Sequence, residues 1–483
     1  MSFITALVLS VSVVAGLPAI CYEAPNLPEA SAEALPVWRG FNLQEKFILE
    51  WPSSGPFHEE DFRLISELGF NFVRLPMDYR FWIKDGDWEQ INEDAFADLD
   101  EAIEFGAKYG IHVCMNFHRA PGHTVASPPE PTNLWRDGET QWVCALHWQY
   151  FARRYKGVPN RLLSFNLFNE PHGIGRSTYA AVVKIMVDAI RSEDPARLII
   201  ADGMEWGMFP CEDLVPLGIA QATRGYQPST VSHYLASWVE GADKWAPPSW
   251  PVRSIGGGFL YGGEKKKMGS PLEINTNHAT PLVLTVTVGD VSTHARLVFK
   301  MDGEELYAET FTPGEGEGPW KKSIFHSEYN CFQATYEKAV SVTIPPGNHQ
   351  VVLEITEGDW LSLTRIAVGD GEKEYDAIGV VPQWGRKSRG ITVSPKTGVL
   401  ETRSMQDAQW LWDTYFSKWA ALKDAGTGVM VGEWGAFSKT PHDITLRWME
   451  DNLKTFQRAG LGWALWNFRG AFGILDIGRS EVV

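Results

Sequence analysis

The sequence predicts an α/β fold, an eight-stranded (β/α) TIM barrel with a β-sandwich inserted between strand six and its following helix. Three observations predict it. Short apolar runs alternate with amphipathic helical stretches from Val37 onward, the rhythm of βαβ units. That rhythm stops near Ile255, gives way to strand-like runs and turn signals, and resumes near Pro395. Eight strands can be counted outside the interruption, and no glycine-rich phosphate loop follows the first of them, which disfavours a doubly wound open sheet.

The first strand is expected at Val37–Leu43, followed by a helix around His58–Leu68 and a strand at Asn71–Leu75 that Pro76 closes. Helix Glu93–Lys108 places Phe96, Leu99 and Ile103 near helical spacing, with Gly110 as its stop. Strand three is Ile111–His118, then come helix Glu139–Tyr155 and strand four, Leu162–Phe168. Helix Thr178–Ser192 precedes strand five at Leu198–Asp202, and strand six is expected at Thr230–Tyr234. The insert contains Leu282–Val288, Ala295–Lys300, Val340–Ile344 and Gln350–Ile355, separated by turns such as Pro345-Pro346-Gly347-Asn348. Helix Ser404–Asp424, strand Gly428–Gly432, helix Pro441–Ala459 and strand Gly462–Trp466 complete the barrel. The expected organisation is therefore a signal-like segment and linker at 1–36, barrel at 37–254, insert at 255–395 and barrel again at 396–483. Only about 17 residues follow Trp466, too few for a loop and a full last helix of about three turns, so that helix is expected to be short or missing.

Composition narrows the partners. A formal net charge of −17 argues against nucleic acid, whose phosphates require a basic face, and against anionic lipid. A neutral ligand remains, and 21 Trp residues tilt the choice toward carbohydrate, whose C–H faces stack on aromatic rings. Cys21, Cys114, Cys144, Cys211 and Cys331 have no metal-like spacing and read as buried thiols, with a Cys114–Cys144 bridge as the alternative. The apolar run Phe3–Ile20, with Ala15, Gly16 and Ala19 near its end, has the length of a secretory signal core but no basic residue before it; it predicts a secreted or periplasmic protein. No other run is long and apolar enough to span a bilayer.

Two segments carry chemistry. Leu163–Pro171 ends a strand in Asn169-Glu170, and Val429–Gly435 places Glu433 at the end of strand seven. Polar residues just past barrel strands point into the mouth where substrates bind. Glycosidic cleavage needs two carboxyl groups, one protonated and one ionised, about 5–5.5 Å apart when the second is a nucleophile. Glu residues on strands four and seven face each other across such a mouth. Asn169-Glu170-Pro171 and Glu433 resemble the acid/base and nucleophile motifs of glycoside hydrolase family 5, the cellulase and mannanase family of retaining barrel hydrolases. Gly69–Pro76 resembles that family's strand-two segment, whose Arg, here Arg74, supports the nucleophile. His118 matches its strand-three His, His233-Tyr234 its strand-six pair, and Trp466 the Trp that floors the sugar subsite. The resemblance covers the barrel from about Arg39 to the C-terminus, and the insert has no counterpart in a minimal family barrel.

The resemblance implies Glu170 as acid/base and Glu433 as nucleophile, with Arg74, His118, Asn169, His233, Tyr234 and Trp466 binding or supporting. It implies no cofactor. Physical chemistry supports several of these roles separately. Arg74 would keep Glu433 ionised, Asn169 can bond a sugar 2-OH, and Tyr234 can donate to the nucleophile. His118 and His123 suggest metal binding, but no third ligand has suitable spacing, so no metal is expected. Trp135, Trp206, Trp238 and Trp434 are candidate sugar platforms, as are Trp320, Tyr329 and Trp360 in the insert, with core packing as the competing reading for each. The expected activity is endo-β-1,4-glucanase, with β-mannanase or an exo-acting glycosidase as alternatives, and a non-catalytic carbohydrate-binding protein or a metal-dependent hydrolase from other classes.

Overall fold

The computed structural model describes residues 27–51, 54–245 and 247–479. The apolar run Phe3–Ile20 and Cys21 lie outside them. Eight parallel strands close into a barrel: β1 (Arg39–Asn42), β2 (Phe72–Asp78), β3 (His112–Arg119), β4 (Leu163–Asn166), β5 (Ile199–Asp202), β6 (Ala220–Gly225), β7 (Val429–Trp434) and β8 (Gly462–Leu465), with β8 paired to β1. The strands are buried almost throughout, as both faces of a barrel sheet are covered. At the N-terminal end of the barrel, Ala30, Ala32 and Leu35 pack against Trp38, Ala220 and Met430 in one apolar cluster. The Gly428 N–H donates to Ala32 O at 2.7 Å, tying this plug to β7.

The helices are α1 (Glu59–Glu67), α2 (Ala97–Tyr109), α3 (Gly138–Arg154), α4 (Arg176–Glu193), α5 (Ser417–Asp424) and α6 (His442–Ala459). Their ends follow local chemistry. Gly110 stops α2 in the left-handed region at φ 68°, and the Asp137 carboxylate caps α3 by accepting from Glu139 N and Thr140 N. Leu99, Ala102 and Ile103 form the buried face of α2.

Strand six is where the structure departs from the expectation. Thr230–Tyr234 is not a strand; Ser229–Ser232 forms a single helical turn after Pro228. The strand is Ala220–Gly225, a run of small and polar residues without β-branched bulk except Thr223. It pairs with β5 through Ala220 and with β7 through Gln221, Ala222 and Thr223. Glycine ends it because the neighbours there are close. A Cβ on Gly225 would lie 2.8 Å from the Trp434 Cβ and 2.9 Å from the Phe456 ring.

The chain divides into two compact units, one of residues 1–226, 413–438 and 452–483, the other of 227–412 and 439–451. The first carries the barrel strands. The second contains a ten-stranded sheet built on two long strands, Leu282–Met301 and Gly347–Gly369, whose pairing is broken by repeated bulges. Each long strand serves both halves of the sheet. The start of 282–301 pairs with Cys331–Ile344 and its end with Glu304–Phe311. The sheet bends over a single core containing Leu284, Val286, Leu297, Phe299, Leu353 and Ile366. Its last strands, Ile391–Val393 and Leu400–Thr402, run past residue 395. Cys114, Cys144 and Cys211 are buried free thiols, so no Cys114–Cys144 bridge forms. Among the described residues, no helix is long and apolar enough to cross a membrane.

Candidate active site

The C-terminal ends of the barrel strands bring together Asn42, Arg74, His118, Asn169, Glu170, Asp202, Arg224, Tyr226, Glu433 and Trp466. Register places them: Asn42 lies beside Arg74, and Arg224 beside Glu433. The β6–β7 pairing shifts between Val431 and Glu433, a bulge that re-aims the Glu433 side chain. Gly432 in this bulge leaves room for a neighbour, because a Cβ there would sit 2.9 Å from Arg224 Nη1.

Glu433 is held from three sides. Arg74 Nη1 donates to its Oε1 at 2.6 Å, Arg224 Nη2 lies 3.1 Å from the same oxygen, and the Tyr226 hydroxyl donates to Oε2 at 3.2 Å. Arg74 is itself fixed by donating to Asn42 Oδ1 (2.9 Å), Asn166 Oδ1 (2.9 Å) and Asn169 Oδ1 (3.0 Å). A buried guanidinium with its donors so fully used is pinned as well as charged.

Glu170 follows β4 by a short turn and adopts φ 53°, a left-handed conformation costly for a residue with a side chain. Its backbone N–H donates to Asp202 Oδ2 at 2.9 Å, and its Oε1 accepts from Arg224 Nε at 2.9 Å. One guanidinium therefore bridges Glu170 and Glu433. Burial, and next the charge of Glu433, push the Glu170 carboxyl up to about 8, against the opposing pull of Arg224. A carboxyl in that range holds its proton at neutral pH. Asn169 accepts from both arginines through Oδ1, its Nδ2 lies 3.5 Å from His118 Nε2, and its backbone carbonyl meets His123 Nε2 at 2.7 Å. Burial and the two arginines drive His118 well below its usual range, and burial lowers His123 to about 4, so both imidazoles are neutral. Burial and the Glu433 charge raise the Tyr226 phenol, which keeps it a donor. Trp466 is half-buried, edge-on to Phe47 at 5.4 Å and 5.5 Å from the His118 ring.

Of the residues singled out in the sequence, Glu170, Glu433, Arg74, Asn169, His118 and Trp466 converge here. His233 and Tyr234 were the expected strand-six pair, and no strand carries them. They follow the helical turn at Ser229–Ser232 in the other compact unit, and the phenol on Glu433 belongs to Tyr226. Sequence reasoning also missed Arg224 and Asp202. Asp202 stood at the predicted end of strand five, and Arg224-Gly225-Tyr226 closes a run alternating Ala220, Gln221, Ala222 and Thr223; both signals were present but lacked hydrophobic weight. Among the other aromatics, Trp434 packs in the core against Phe456 and Trp463, and Trp135 packs on Phe168 and Tyr179. Trp206 is 44% exposed and stacks face to face on His172 at 4.4 Å, next in line after Glu170-Pro171. No group of three or more His, Cys, Asp or Glu among the described residues is arranged to hold a metal ion.

Comparison with known proteins follows the same lines. The profile of the family described as Cellulase (glycosyl hydrolase family 5) matches residues 29–227. Endoglucanase C of Acetivibrio thermocellus is 28% identical over 188 residues, covering 38% of this chain and 54% of that one. A probable glucan 1,3-beta-glucosidase A of Emericella nidulans is 29% identical over 153 residues, 30% of this chain and 37% of that protein. The chain thus spans about half, or less, of the length of these relatives. A solved structure described as a glycoside hydrolase superposes with a TM-score of 0.58 at 25% identity, covering 92% of each chain.

Proposed function

Because the barrel is that of a glycoside hydrolase family 5 protein, we propose that the chain hydrolyses a β-linked glucan with retention of anomeric configuration, Glu433 attacking and Glu170 supplying the proton. The observation that carries this reading is the pair of carboxyl groups joined by one guanidinium at the barrel mouth, one ion-paired to Arg74 and the other pushed up to about 8 by burial and its neighbour's charge. Bonding to a shared side chain favours the short separation that covalent double displacement uses over the wider gap that an inverting enzyme keeps for water.

In the first step Glu433 attacks the anomeric carbon while Glu170 protonates the departing oxygen, which breaks the glycosidic bond and leaves a glycosyl ester on Glu433. In the second, Glu170 takes a proton from water, and that water displaces the sugar from Glu433. Arg74 and Tyr226 hold the attacking carboxylate in line. This reading assigns the sugar 2-OH to the Asn169 amide and a stacked sugar face to the half-buried Trp466 ring.

β-1,4-Glucan is the favoured substrate, on the endoglucanase relatives. The relative named a glucan 1,3-beta-glucosidase supports a second reading, exo-acting hydrolysis of a β-glucan. Incubation with β-1,4-glucan, β-1,3-glucan, mannan, xylan and 4-nitrophenyl glycosides tests the proposal. The first-formed sugar should appear as the β anomer by proton NMR. Release of the α anomer would overturn retention, and no release from any of these would overturn the activity. Random mid-chain cutting of a long oligosaccharide would decide for endo action, and release of short units from one end for exo action.

A further inference from the structure

Three carboxyl groups and two guanidiniums meet at the barrel mouth, and their contacts are not evenly shared. Arg74 is ion-paired to Glu433. Arg224 touches all three carboxyls: Glu170 through Nε at 2.9 Å, Glu433 through Nη2 at 3.1 Å, and Asp202 through a very short Nη2 contact. The Asp202 side chain is fully buried, Glu433 is 3% exposed and Glu170 15%. Two buried cations balance two anions, and burying a third charge without a partner is strongly unfavourable. The most open carboxyl is the one that stays neutral. Asp202 also accepts the Glu170 backbone N–H and the Asn166 amide at 3.0 Å, so both its oxygens are engaged by donors.

We propose that Asp202 and Arg224 are a positioning pair that sets the proton on Glu170. Asp202 offsets the charge of Arg224, so the guanidinium orients the Glu170 carboxyl without stripping its proton. The assignment rests on the acid role given to Glu170 above, but its test does not need a substrate. The other titratable or charged groups facing the cluster are Arg74, Tyr226, His118, His123, Tyr179 and Cys114. Burial keeps the two phenols, the thiol and the two imidazoles neutral around pH 8.

A scaffold role would not distinguish the two partners, whereas a charge-balance role moves Glu170 in opposite directions. Full-length protein labelled with δ-13C glutamate, with the Glu170 resonance assigned by its loss in Glu170→Gln, gives the titration directly. The wild-type midpoint is expected near 8. Asp202→Asn leaves the Arg224 charge unbalanced and should lower the midpoint by about 1 pH unit or more; Arg224→Gln should raise it by a similar amount. Arg224→Lys, which keeps the charge, should stay nearer the wild type than Arg224→Gln does. Shifts in the same direction, or no shift in either variant, overturn the proposal. If Arg224→Gln fails to fold, Asp202→Asn decides alone, a midpoint at or above the wild-type value being the overturning result. The alkaline limb of kcat/KM on cellotetraose, whose alcohol leaving group needs the acid's proton, should move with the NMR midpoint. Midpoints that move as expected beneath an unmoved limb uphold the pair and count against the acid role of Glu170 instead.

Discussion

At Glu433, replacement by Gln keeps the shape and removes the nucleophile, so turnover should be abolished while the fold survives. Azide should restore activity to Glu433→Ala by filling the space with a small anion, and an α-glycosyl azide product would identify the face of attack; no rescue at any azide concentration counts against a nucleophile there. Glu170→Gln should lower kcat by about 10²–10⁴-fold on substrates with poor leaving groups. Because Glu170 acts protonated and its carboxyl is raised to about 8 by burial and the Glu433 charge, kcat/KM should fall as pH rises through about 8. An alkaline limb unchanged in a variant that still turns over without Glu170 would reassign the acid. Tyr226→Phe removes one donor to a charged oxygen and should lower kcat about 10–100-fold with little change in KM, the worth of such a bond.

Strand β6 shows what decides an element. Its last residue is glycine because Trp434 and Phe456 crowd that position, and Gly225→Ala would push a methyl into both at under 3 Å. That substitution should lower stability by about 1–3 kcal/mol, the cost of overpacking, measured as a drop in the denaturant midpoint. An unchanged midpoint would mean that the two aromatics yield easily. The lack of an apolar run hid the strand from sequence reasoning. Hydrophobic run and β-propensity reward Thr230–Tyr234, yet Pro228 and a helical turn claim that segment, while Ala220–Gly225 earns its place only from its neighbours. Strands with Val, Ile, Leu and Phe, such as Ile199–Asp202 and the first half of Phe72–Asp78, were legible from their own side chains, and so was the Gly110 stop of α2; Phe72–Asp78 runs on through Pro76, which had been expected to close it.

For the whole molecule, stability should peak near pH 6.5. Glu170 and Glu45 are raised in the folded state to about 8 and about 7, mainly by burial. The folded state therefore binds more protons than the unfolded one across that range, and their contribution is lost as pH rises from about 4.5 through 7–8. His112, His123, His147 and His233 are lowered by burial to between about 3 and about 4, and His118 further. Below pH 6.5 the unfolded chain takes up protons that these buried rings refuse, so stability falls as pH falls. Melting temperature followed from pH 4.5 to 9 should show both slopes, and a curve still rising at pH 9 would contradict the first. Glu170→Gln should flatten the alkaline slope.

By itself the sequence determined the barrel rhythm, the interruption by a β-rich unit, and the two carboxyl-bearing strand ends, because each is written in local hydrophobic period and in residues a few positions apart. Asn169-Glu170 and Glu433 could be matched across more than 250 residues because strand order implies that strands four and seven face each other. Only the tertiary structure decided which groups control those carboxyls. Asp202, Arg224 and Tyr226 come from strands five and six and owe their roles to burial, to a bulge before Glu433 and to sharing one buried space with Arg74. Charge balance in that space is a property of all five ionisable side chains together, and no segment of the chain contains them.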